Sequence, residues 1–358
     1  MPRTEPRILA ILTVKNEGAF LLDWLSHHRA AGFTDFLVFS NDCEDGTDRI
    51  LDRLEAIGWL GHVRNDGPHG KGPQWTALLR ADNHPLKMAA DWVLVLDIDE
   101  FVNVHAGDRT VRALLSALPE ATAIPLTWRL FGNCGVRIFE DRPVTGQFLL
   151  AAPAVMGWPW RAAMFKTLFR NDGSYRRLGV HRPRAPDPAR LAHQRWFDGS
   201  GRRLAPSFHN ARVFSDYGRD NYRLVQLNHY ALGAMESYVL KCDRGRANRE
   251  ASATDLSYWV ERNFCAAEDR TILGLAPRVA KLRAVLAADP VLGPLHAAAA
   301  AWRRRRFDAL MRTEDWRGLF GRLMMAGPSR VLSAEEHGII AGYATRTAAE
   351  TDDGDRNG

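Results

Sequence analysis

Short, continuous apolar runs of strand length mark the first third of the chain. They occupy residues 7–14 (RILAILTV), 36–40 (FLVFS) and 92–96 (WVLVL). A strand that is covered on both faces has this appearance, whereas a strand with one wet face alternates between apolar and polar residues. The pattern therefore predicts buried strands at these three places.

Segments with helical periodicity lie between the strands. Phe20, Leu21, Trp24, Leu25 and His28 recur at helical spacing, and Ile50, Leu51, Leu54 and Ile57 do so in the next segment. Gly32 stands where the first helix should end, and Thr47 is expected to be the N-cap of the second. Strands about 30 residues apart with one amphipathic helix between them form βαβ units. The fold class predicted is α/β with a mostly parallel sheet.

Polar residues follow each of these strands. The three segments are Lys15-Asn16-Glu17, Asn41 to Thr47, and Asp97 to Glu100. Ligands of open α/β sheets bind beyond the carboxyl ends of the strands, so the three segments are expected to meet in one site. Neither GxGxxG nor GxxxxGK[ST] occurs, which leaves the usual dinucleotide-binding and P-loop sites without support.

The segment WVLVLDIDEF, residues 92–101, is the strongest chemical signal. Two carboxylates at i and i+2 after a buried strand can bind one hard divalent cation and the phosphates it carries, and Mg²⁺ or Mn²⁺ suits such oxygen ligands. The structural alternative is that Asp97 and Asp99 only cap the next turn. A haloacid-dehalogenase-type phosphohydrolase is disfavoured, because Phe101 stands where Thr or Val is expected and because the motif does not follow the first strand.

Taken together, these segments resemble the GT-A glycosyltransferases, in particular the glycosyltransferase family 2-like group. The resemblance is carried by ILAILTVKNE (8–17), FSNDCEDGTD (39–48) and DWVLVLDIDEF (91–101), and it extends through FKTLFR, GVHRPR and LNHYALGAMESYVLKCDRGRAN over about residues 7–250. It implies a GT-A α/β domain, with a nucleotide-sugar as donor and a divalent cation as cofactor.

The resemblance also assigns metal ligands. Asp97 and Asp99 match the DxD motif, with Asp99 as the stronger ligand and Asp97 nearer the ribose and diphosphate. His229 matches a downstream histidine that completes the metal shell in many GT-A enzymes. The implied cofactor is Mn²⁺ or Mg²⁺.

Nucleotide-binding residues are predicted on both halves of the chain. The resemblance places Asp42 at the nucleotide base and Lys15 and Glu17 in a loop that faces the nucleotide. Residues 1–158 hold 15 basic and 20 acidic residues, whereas residues 159–250 hold 18 basic and 8 acidic ones. Within the basic segment, Lys241 and Arg244 are i, i+3 neighbours on one helix face and are predicted to bind the diphosphate.

The catalytic base is predicted with less support from the motifs. An inverting transferase needs a carboxylate that deprotonates the acceptor hydroxyl. Glu140 or Asp141 in RIFEDRP is proposed for this role, with Asp216 and Asp220 as later carboxylates and His181 as another site residue. The usual family 2 motif, an ED dipeptide followed by QxxRW, is not clearly present.

The C-terminal part is expected to be helical from Gly274, so the predicted domains are 1–250 (catalytic), 251–345 (helical) and 346–358 (a disordered tail). Arg303–Arg306 are interpreted as a solvated helix face, with a weak contact to an anionic membrane as the alternative. Four irregularly spaced cysteines indicate neither a disulfide framework nor a metal site. Together with the lack of a long apolar span and of a signal-peptide cleavage site, they predict a cytoplasmic protein.

The favoured function is metal-dependent transfer of a sugar from a nucleotide-sugar to a glycan or a lipid-linked acceptor, with inversion. One alternative is a nucleotidyl- or phospho-transferring enzyme that uses the same metal edge. The other is a non-catalytic binder of nucleic acid or an anionic surface through the basic middle segment, although a net charge of +6 over 358 residues is weak support for a nucleic-acid partner.

Overall fold

The computed structural model describes residues 5–245 and 256–343. The tail predicted to be disordered, 346–358, lies outside the described residues, and the predicted domain boundary at residue 250 falls in the gap between the two ranges. Both therefore stay predictions.

The secondary structure begins as the apolar runs indicate. The strands are β1 (Ile8–Val14), β2 (Asp35–Ser40), β3 (Gly61–Arg64), β4 (Trp92–Leu96), β5 (Glu100–Val104), β6 (Ala123–Leu130), β7 (Leu150–Ala151), β8 (Phe165–Arg170), β9 (Tyr175–Arg177), β10 (Arg184–Pro186), β11 (Val225–His229) and β12 (Ala267–Glu268). The α-helices are α1 (Gly18–Ala30), α2 (Thr47–Ala56), α3 (Pro73–Ala81), α4 (Pro85–Ala89), α5 (Val111–Ala117), α6 (Val144–Gln147), α7 (Pro188–Leu191), α8 (Met235–Asp243), α9 (Leu256–Val260), α10 (Ala276–Ala287), α11 (Leu292–Leu310) and α12 (Glu314–Met325). Short 3₁₀ turns occupy Trp160–Ala163, Pro206–His209 and Thr271–Leu275.

The central sheet has eight strands in the order β3-β2-β1-β4-β8-β6-β11-β5. Strands β3, β2, β1 and β4 run parallel, β8 is antiparallel to both of its neighbours, β6 and β11 are parallel, and β5 is antiparallel to β11. The predicted α/β class with a mostly parallel sheet is confirmed.

Both faces of the sheet are covered, which explains the unbroken apolar runs. Alternate residues of β1 point into two separate cores: Ile8, Ala10 and Leu12 into one, and Leu9 and Ile11 into the other. The first core is shared with α1, α2, α10 and α11, and the second with α3 and the segments that follow β8. A strand in this setting has no wet face, so it needs no polar alternation.

The turn that precedes α2 differs from the prediction by one residue. Gly32 does follow α1 with a φ of 95°, as expected, but the N-cap of α2 is Gly46, and Thr47 is the first helical residue. The carboxylate of Asp45 accepts hydrogen bonds from the Thr47 amide (2.9 Å) and hydroxyl (2.6 Å). Asp45 thus supplies the capping contact that we expected from Thr47.

The arginine run on α11 is only partly solvated. Arg304 and Arg305 are exposed, and Arg306 is paired with Asp243 at 2.7 Å. Arg303 is 4% exposed, so the prediction of a solvated face is wrong for this residue. Helices α10 and α11 pack on α1, and this packing carries Arg303 into the molecule.

No single helix among residues 5–245 and 256–343 is both long and apolar enough to cross a bilayer. The segments Thr271–Ala287 and Leu292–Leu310, bent by 99° relative to each other, meet the criteria only when they are taken as a pair.

Candidate functional site

The loops after β1, β2 and β4 meet in a cleft of about 890 Å³. The residues predicted to bind nucleotide or metal all line it: Lys15, Glu17, Asp42, Asp97, Asp99, His229, Lys241 and Arg244. The first five of these come from strand ends of the acidic half, and Lys241 and Arg244 lie at the C-terminal end of α8. The fold thus brings the acidic and basic halves of the sequence together in one place.

The DxD residues form a tight connection between β4 and β5. The Glu100 amide donates to the Asp97 carbonyl at 3.1 Å, and the indole of Trp24 donates to the carbonyls of Asp97 (3.2 Å) and Glu100 (3.0 Å). The hydrogen bonds to both DxD carboxylates come from side chains on other elements. The two aspartates therefore point into the cleft, and turn capping does not explain them.

A fully buried lysine joins Asp97 to Glu100. The Lys166 ammonium on β8 lies 2.9 Å from Asp97 Oδ2 and 3.5 Å from Glu100 Oε2. Glu100 is itself buried and accepts hydrogen bonds from the Asp97 amide (2.8 Å) and the Trp128 indole (2.7 Å). Burial raises the pKa of Glu100 to about 8 against the opposing effect of Lys166. Burial alone would lower the pKa of Lys166, but the neighbouring carboxylates raise it.

Asp99 is paired with a second lysine. Lys241 Nζ lies 2.6 Å from Asp99 Oδ2 and donates to the Ala231 carbonyl at 2.7 Å. Burial alone would raise the pKa of Asp99, but the Lys241 and other cationic charges hold it well below its usual range. Asp99 is therefore ionised.

His229 faces the same carboxylate. Its Nε2 lies 3.7 Å from Asp99 Oδ1, and its ring packs on Trp128 with centroids 4.3 Å apart. Burial lowers the pKa of His229 to about 3, so the imidazole is neutral at physiological pH. Its buried Nδ1 has no hydrogen-bond partner within the described part of the chain.

The donor types fit a divalent cation. Two ligands about 2.1 Å from one ion lie about 3–4 Å apart, which matches the separation of the Asp99 oxygen and the His229 nitrogen. Among the described residues, however, no group of three or more His, Cys, Asp or Glu side chains is already arranged around one position. In this structure the ammonium groups of Lys166 and Lys241 contact the DxD carboxylates instead.

The first loop is held by two arginines from later in the chain. Arg244 donates to the Glu17 carboxylate and, at 2.9 Å, to the Lys15 carbonyl. Arg303 Nη1 lies 3.8 Å from the other Glu17 oxygen, and its guanidinium packs over the ring of Phe20 at 4.5 Å. Burial lowers the pKa of each arginine to about 10, which still leaves both charged.

The second loop presents Asp42 at the edge of the cleft. Asp42 is exposed and has a left-handed backbone with a φ of 41°. Its carboxylate accepts from the Gly67 amide at 3.2 Å, and its own amide donates to Asp66 at 2.7 Å. Asp45 ties this loop to the first one, because it accepts from the Gly18 amide at 2.9 Å. The relative position of the two loops is thereby fixed.

Glu140 and Asp141, the predicted bases, do not line the cleft. Glu140 borders a smaller cavity of about 70 Å³ that also touches Asp99, and its carboxylate pairs with Arg142 at 2.9 Å. Asp141 accepts from His296 (2.9 Å) and pairs with Arg283 (3.0 Å), both on the C-terminal helices. In this structure Asp141 links the helical region to the sheet domain.

Of the other acid and base groups, Glu261 and His181 line the cleft and Asp216 does not. Glu261 lines the cleft and is paired with Arg161 at 3.0 Å. His181 also lines it, with Nδ1 3.1 Å from the Phe165 carbonyl, and burial lowers its pKa to about 4. Asp216 borders a separate cavity and is paired with surface arginines.

Sequence reasoning assigned no individual role in the site to Lys166, Glu100, Arg303 or Glu261. Lys166 had a usable signal, since it is a charged residue inside the apolar run FKTLF and such a residue needs a buried partner. In the sequence, Arg303 cannot be told apart from the three arginines that follow it. Only the packing of α11 shows that Arg303 is the buried one. Glu261 had no motif around it.

Comparison with known proteins gives partial support to the resemblance to glycosyltransferases. No protein-family profile matches the chain. A glycosyltransferase family 92 protein of Oryza sativa subsp. japonica is 25% identical over 148 residues, which are 39% of this chain and 24% of that protein. The chain thus spans about a quarter of the length of this relative. The name of the relative agrees with the resemblance to glycosyltransferases.

Two solved structures show weak similarity. S. aureus TarS 1–349 in complex with UDP has 13% identity and a TM-score of 0.34, covering 86% of this chain and 91% of TarS 1–349. Glucosyl-3-phosphoglycerate synthase of Mycobacterium tuberculosis, in complex with Mn²⁺, UDP and glucosyl-3-phosphoglycerate, has 17% identity and a TM-score of 0.27, covering 47% of this chain and 57% of that one. These TM-scores are low, and the α/β class rests on the sheet described above.

Proposed function

We propose that this protein is a glycosyltransferase that moves a sugar from a nucleotide-sugar donor to a glycan or lipid-linked acceptor with the help of Mn²⁺ or Mg²⁺. One observation carries the proposal. The cleft at the carboxyl ends of β1, β2 and β4 places the DxD carboxylates and His229 beside the cations Lys241 and Arg244. Binding of an anion that carries a metal ion would exchange the Lys241–Asp99 contact of 2.6 Å for a metal contact at Asp99 and an anion contact at Lys241.

The donor diphosphate is proposed to bind between the DxD loop and the end of α8. A nucleoside diphosphate leaving group gains negative charge as the glycosidic bond breaks, and positioned cations stabilise that charge. Lys241 and Arg244 lie in the cleft for this role, and a guanidinium can hold two phosphate oxygens at once. Asp42, which is exposed at the edge of the cleft, is proposed to contact the base.

Asp97, Asp99 and His229 are the residues proposed to hold the metal ion. When bound, the ion would neutralise charge on the diphosphate as a Lewis acid. The neutral imidazole of His229 and the ionised carboxylate of Asp99 are in the protonation states that metal ligands need. Lys166, on the far side of Asp97, fixes the orientation of that carboxylate.

An inverting reaction needs a base near the acceptor, and Glu261 is our proposal because its carboxylate lines the cleft. Glu140 and Asp141 are the alternatives that the sequence suggested. We expect Glu261→Gln to lower kcat by about 10²–10⁴-fold while nucleotide affinity is kept. Asp141→Asn should keep kcat within a few-fold and lower the melting temperature. Steady-state kinetics, together with calorimetric nucleotide titration, distinguish these two candidate bases. The reverse pattern would assign the base to Asp141.

Trp128 lines the cleft, and Trp160, whose ring centroid lies 4.9 Å from that of Trp158, is 38% exposed outside it. We propose that tryptophans near the cleft contact the acceptor. Aromatic faces of this kind stack on sugar rings.

A cytoplasmic enzyme with a lipid-linked acceptor would work at a membrane surface, where exposed Arg304 and Arg305 could contact anionic lipid.

The proposal is tested with a thermal-shift panel of UDP, GDP, CDP and dTDP, each with and without Mn²⁺. We expect one diphosphate to raise the melting temperature only when Mn²⁺ is present. A ligand at 100 times its Kd adds about 2.7 kcal/mol to the free energy of unfolding, which is readily measured. No shift with any of the four would overturn the proposed function. Stabilisation by nucleic acid instead would favour the non-catalytic binder.

A further inference from the structure

Two cysteines that are far apart in the sequence meet beside the cleft. The sulfur atoms of Cys134 and Cys265 are 3.3 Å apart, and both side chains are partly exposed. A disulfide has an S–S distance of about 2.05 Å, so the sulfurs need to approach by only a little more than 1 Å. The irregular spacing of the cysteines gave no sign of this pair.

We propose that Cys134 and Cys265 form a reversible disulfide, and thus a redox-active dithiol site, that fastens the Glu261–Arg262 wall of the cleft to the loop after β6. This inference goes beyond the proposed sugar transfer and does not depend on it.

The backbones on both sides of the pair are in direct contact, so little has to move. A Cβ added to Gly132 would lie 2.5 Å from Cys265 Sγ and 2.5 Å from the Phe264 carbonyl oxygen, which shows that no side chain separates the two segments. The Asn133 amide donates to the Asn263 side chain at 2.8 Å. Both segments are also anchored to β7, through the amides of Gly132 (3.0 Å) and Ala266 (3.0 Å).

Each cysteine is a short distance along the chain from the cleft. Glu261 and Arg262 line the cleft four and three residues before Cys265, respectively. On the other side, β6 ends at Leu130, which is paired with His229 in the sheet. The Phe131 amide donates to the His229 carbonyl at 3.1 Å. A bond between the cysteines would therefore connect two parts of the wall of the site.

The reactivity of the thiols fits this role. The hydrogen bond between them lowers the pKa of Cys265 to about 7 and raises that of Cys134. Thiolate, not thiol, is the attacking species in exchange reactions. Burial raises the pKa of Cys43 to about 11, so this partly exposed cysteine should react far more slowly than Cys265.

The oxidant proposed is a small-molecule disulfide such as oxidised glutathione. The Cys265 thiolate attacks one sulfur of it, forms a mixed disulfide and releases one thiol. The Cys134 thiol then loses its proton, attacks the Cys265 sulfur and releases the second thiol. Two protein thiols are oxidised by two electrons, and one small disulfide is reduced to two thiols.

The test uses the full-length chain, equilibrated in glutathione buffers of increasing oxidised fraction. When the protein is labelled with maleimide after denaturation, which exposes the buried Cys242, two of the four cysteines should be resistant, and mass spectrometry should find the peptides of Cys134 and Cys265 linked, in a form that dithiothreitol reverses. Cys134→Ser should abolish the link and leave Cys265 joined to glutathione. Cys43→Ser, the matched control, should keep the link. Four reactive thiols in every buffer, or a linked peptide that contains Cys43 or Cys242, would overturn the inference.

Hydrogen exchange measures the second part of the inference. In the oxidised wild-type protein, amides of residues 256–265 should exchange more slowly than in the reduced protein, and Cys134→Ser should show no such difference. Equal exchange in the two wild-type forms would show that the bond does not fasten this wall. Neither measurement needs enzymatic activity, so a failure here is distinct from a failure of the proposed function.

Discussion

Replacing Asp99 by Asn should remove the Mn²⁺-dependent stabilisation by a nucleoside diphosphate and lower turnover by at least about 100-fold. Asp99 is the carboxylate that both His229 and Lys241 face, at 3.7 and 2.6 Å. An amide of the same shape keeps the packing but loses the negative charge that would bind the ion. The measurement is a titration of the diphosphate found in the panel, with and without Mn²⁺, followed by steady-state kinetics.

Asp52→Asn is the matched control. Asp52 is also a carboxylate paired with a cation, Arg64 at 2.6 Å, but it is 48% exposed and lies outside the cleft. It should leave both the titration and the kinetics unchanged. If Asp99→Asn binds the Mn²⁺–diphosphate pair as tightly as the wild type, Asp99 is not a ligand. Asp99→Asn also removes the charge partner of Lys241. The effect of this loss on the free energy of unfolding is measured separately, by urea unfolding of both variants without nucleotide.

The parts of the fold that local pattern encodes were predictable. Strands β1, β2 and β4 are unbroken apolar runs because the sheet is covered on both faces around them. Since these three strands are parallel neighbours, their carboxyl ends necessarily lie at one edge. That is why Lys15, Asp42 and Asp97 could be placed in one cleft from the sequence alone.

The parts that depend on long-range pairing were not predictable. Strand β8 lies between β4 and β6 although it follows both in the sequence, and only this order brings Lys166 under the DxD loop. Likewise, Arg303 reaches Glu17 because α11 packs on α1, almost 300 residues earlier in the chain. No local propensity encodes such contacts. Glu140 and Asp141 stay predictions for the base. Glu261, which we propose instead, could not be suggested from the sequence, because only long-range packing brings it to the cleft.

Lys166 is the residue for which we expect the largest effect on stability. At pH 9, above the pKa of Glu100, Lys166→Met should lower the free energy of unfolding by about 3–5 kcal/mol, because it leaves the fully buried Glu100 carboxylate without its cation. Urea unfolding without nucleotide measures this loss. The exposed Lys281, replaced by Met, is the control and should change stability by less than about 0.5 kcal/mol.

A second substitution tests whether uncompensated charge is the cause. If it is, Lys166→Met combined with Glu100→Gln should regain part of the lost free energy, since the buried acid is then neutral by construction. The recovery should be incomplete, because the glutamine has one carbonyl oxygen where Glu100 uses two oxygens to accept from the Asp97 amide and the Trp128 indole. A double variant that is less stable than Lys166→Met alone would instead show that lost packing, not lost charge, destabilises the single variant. A single variant within about 1 kcal/mol of the wild type would contradict the structural role of the buried lysine altogether.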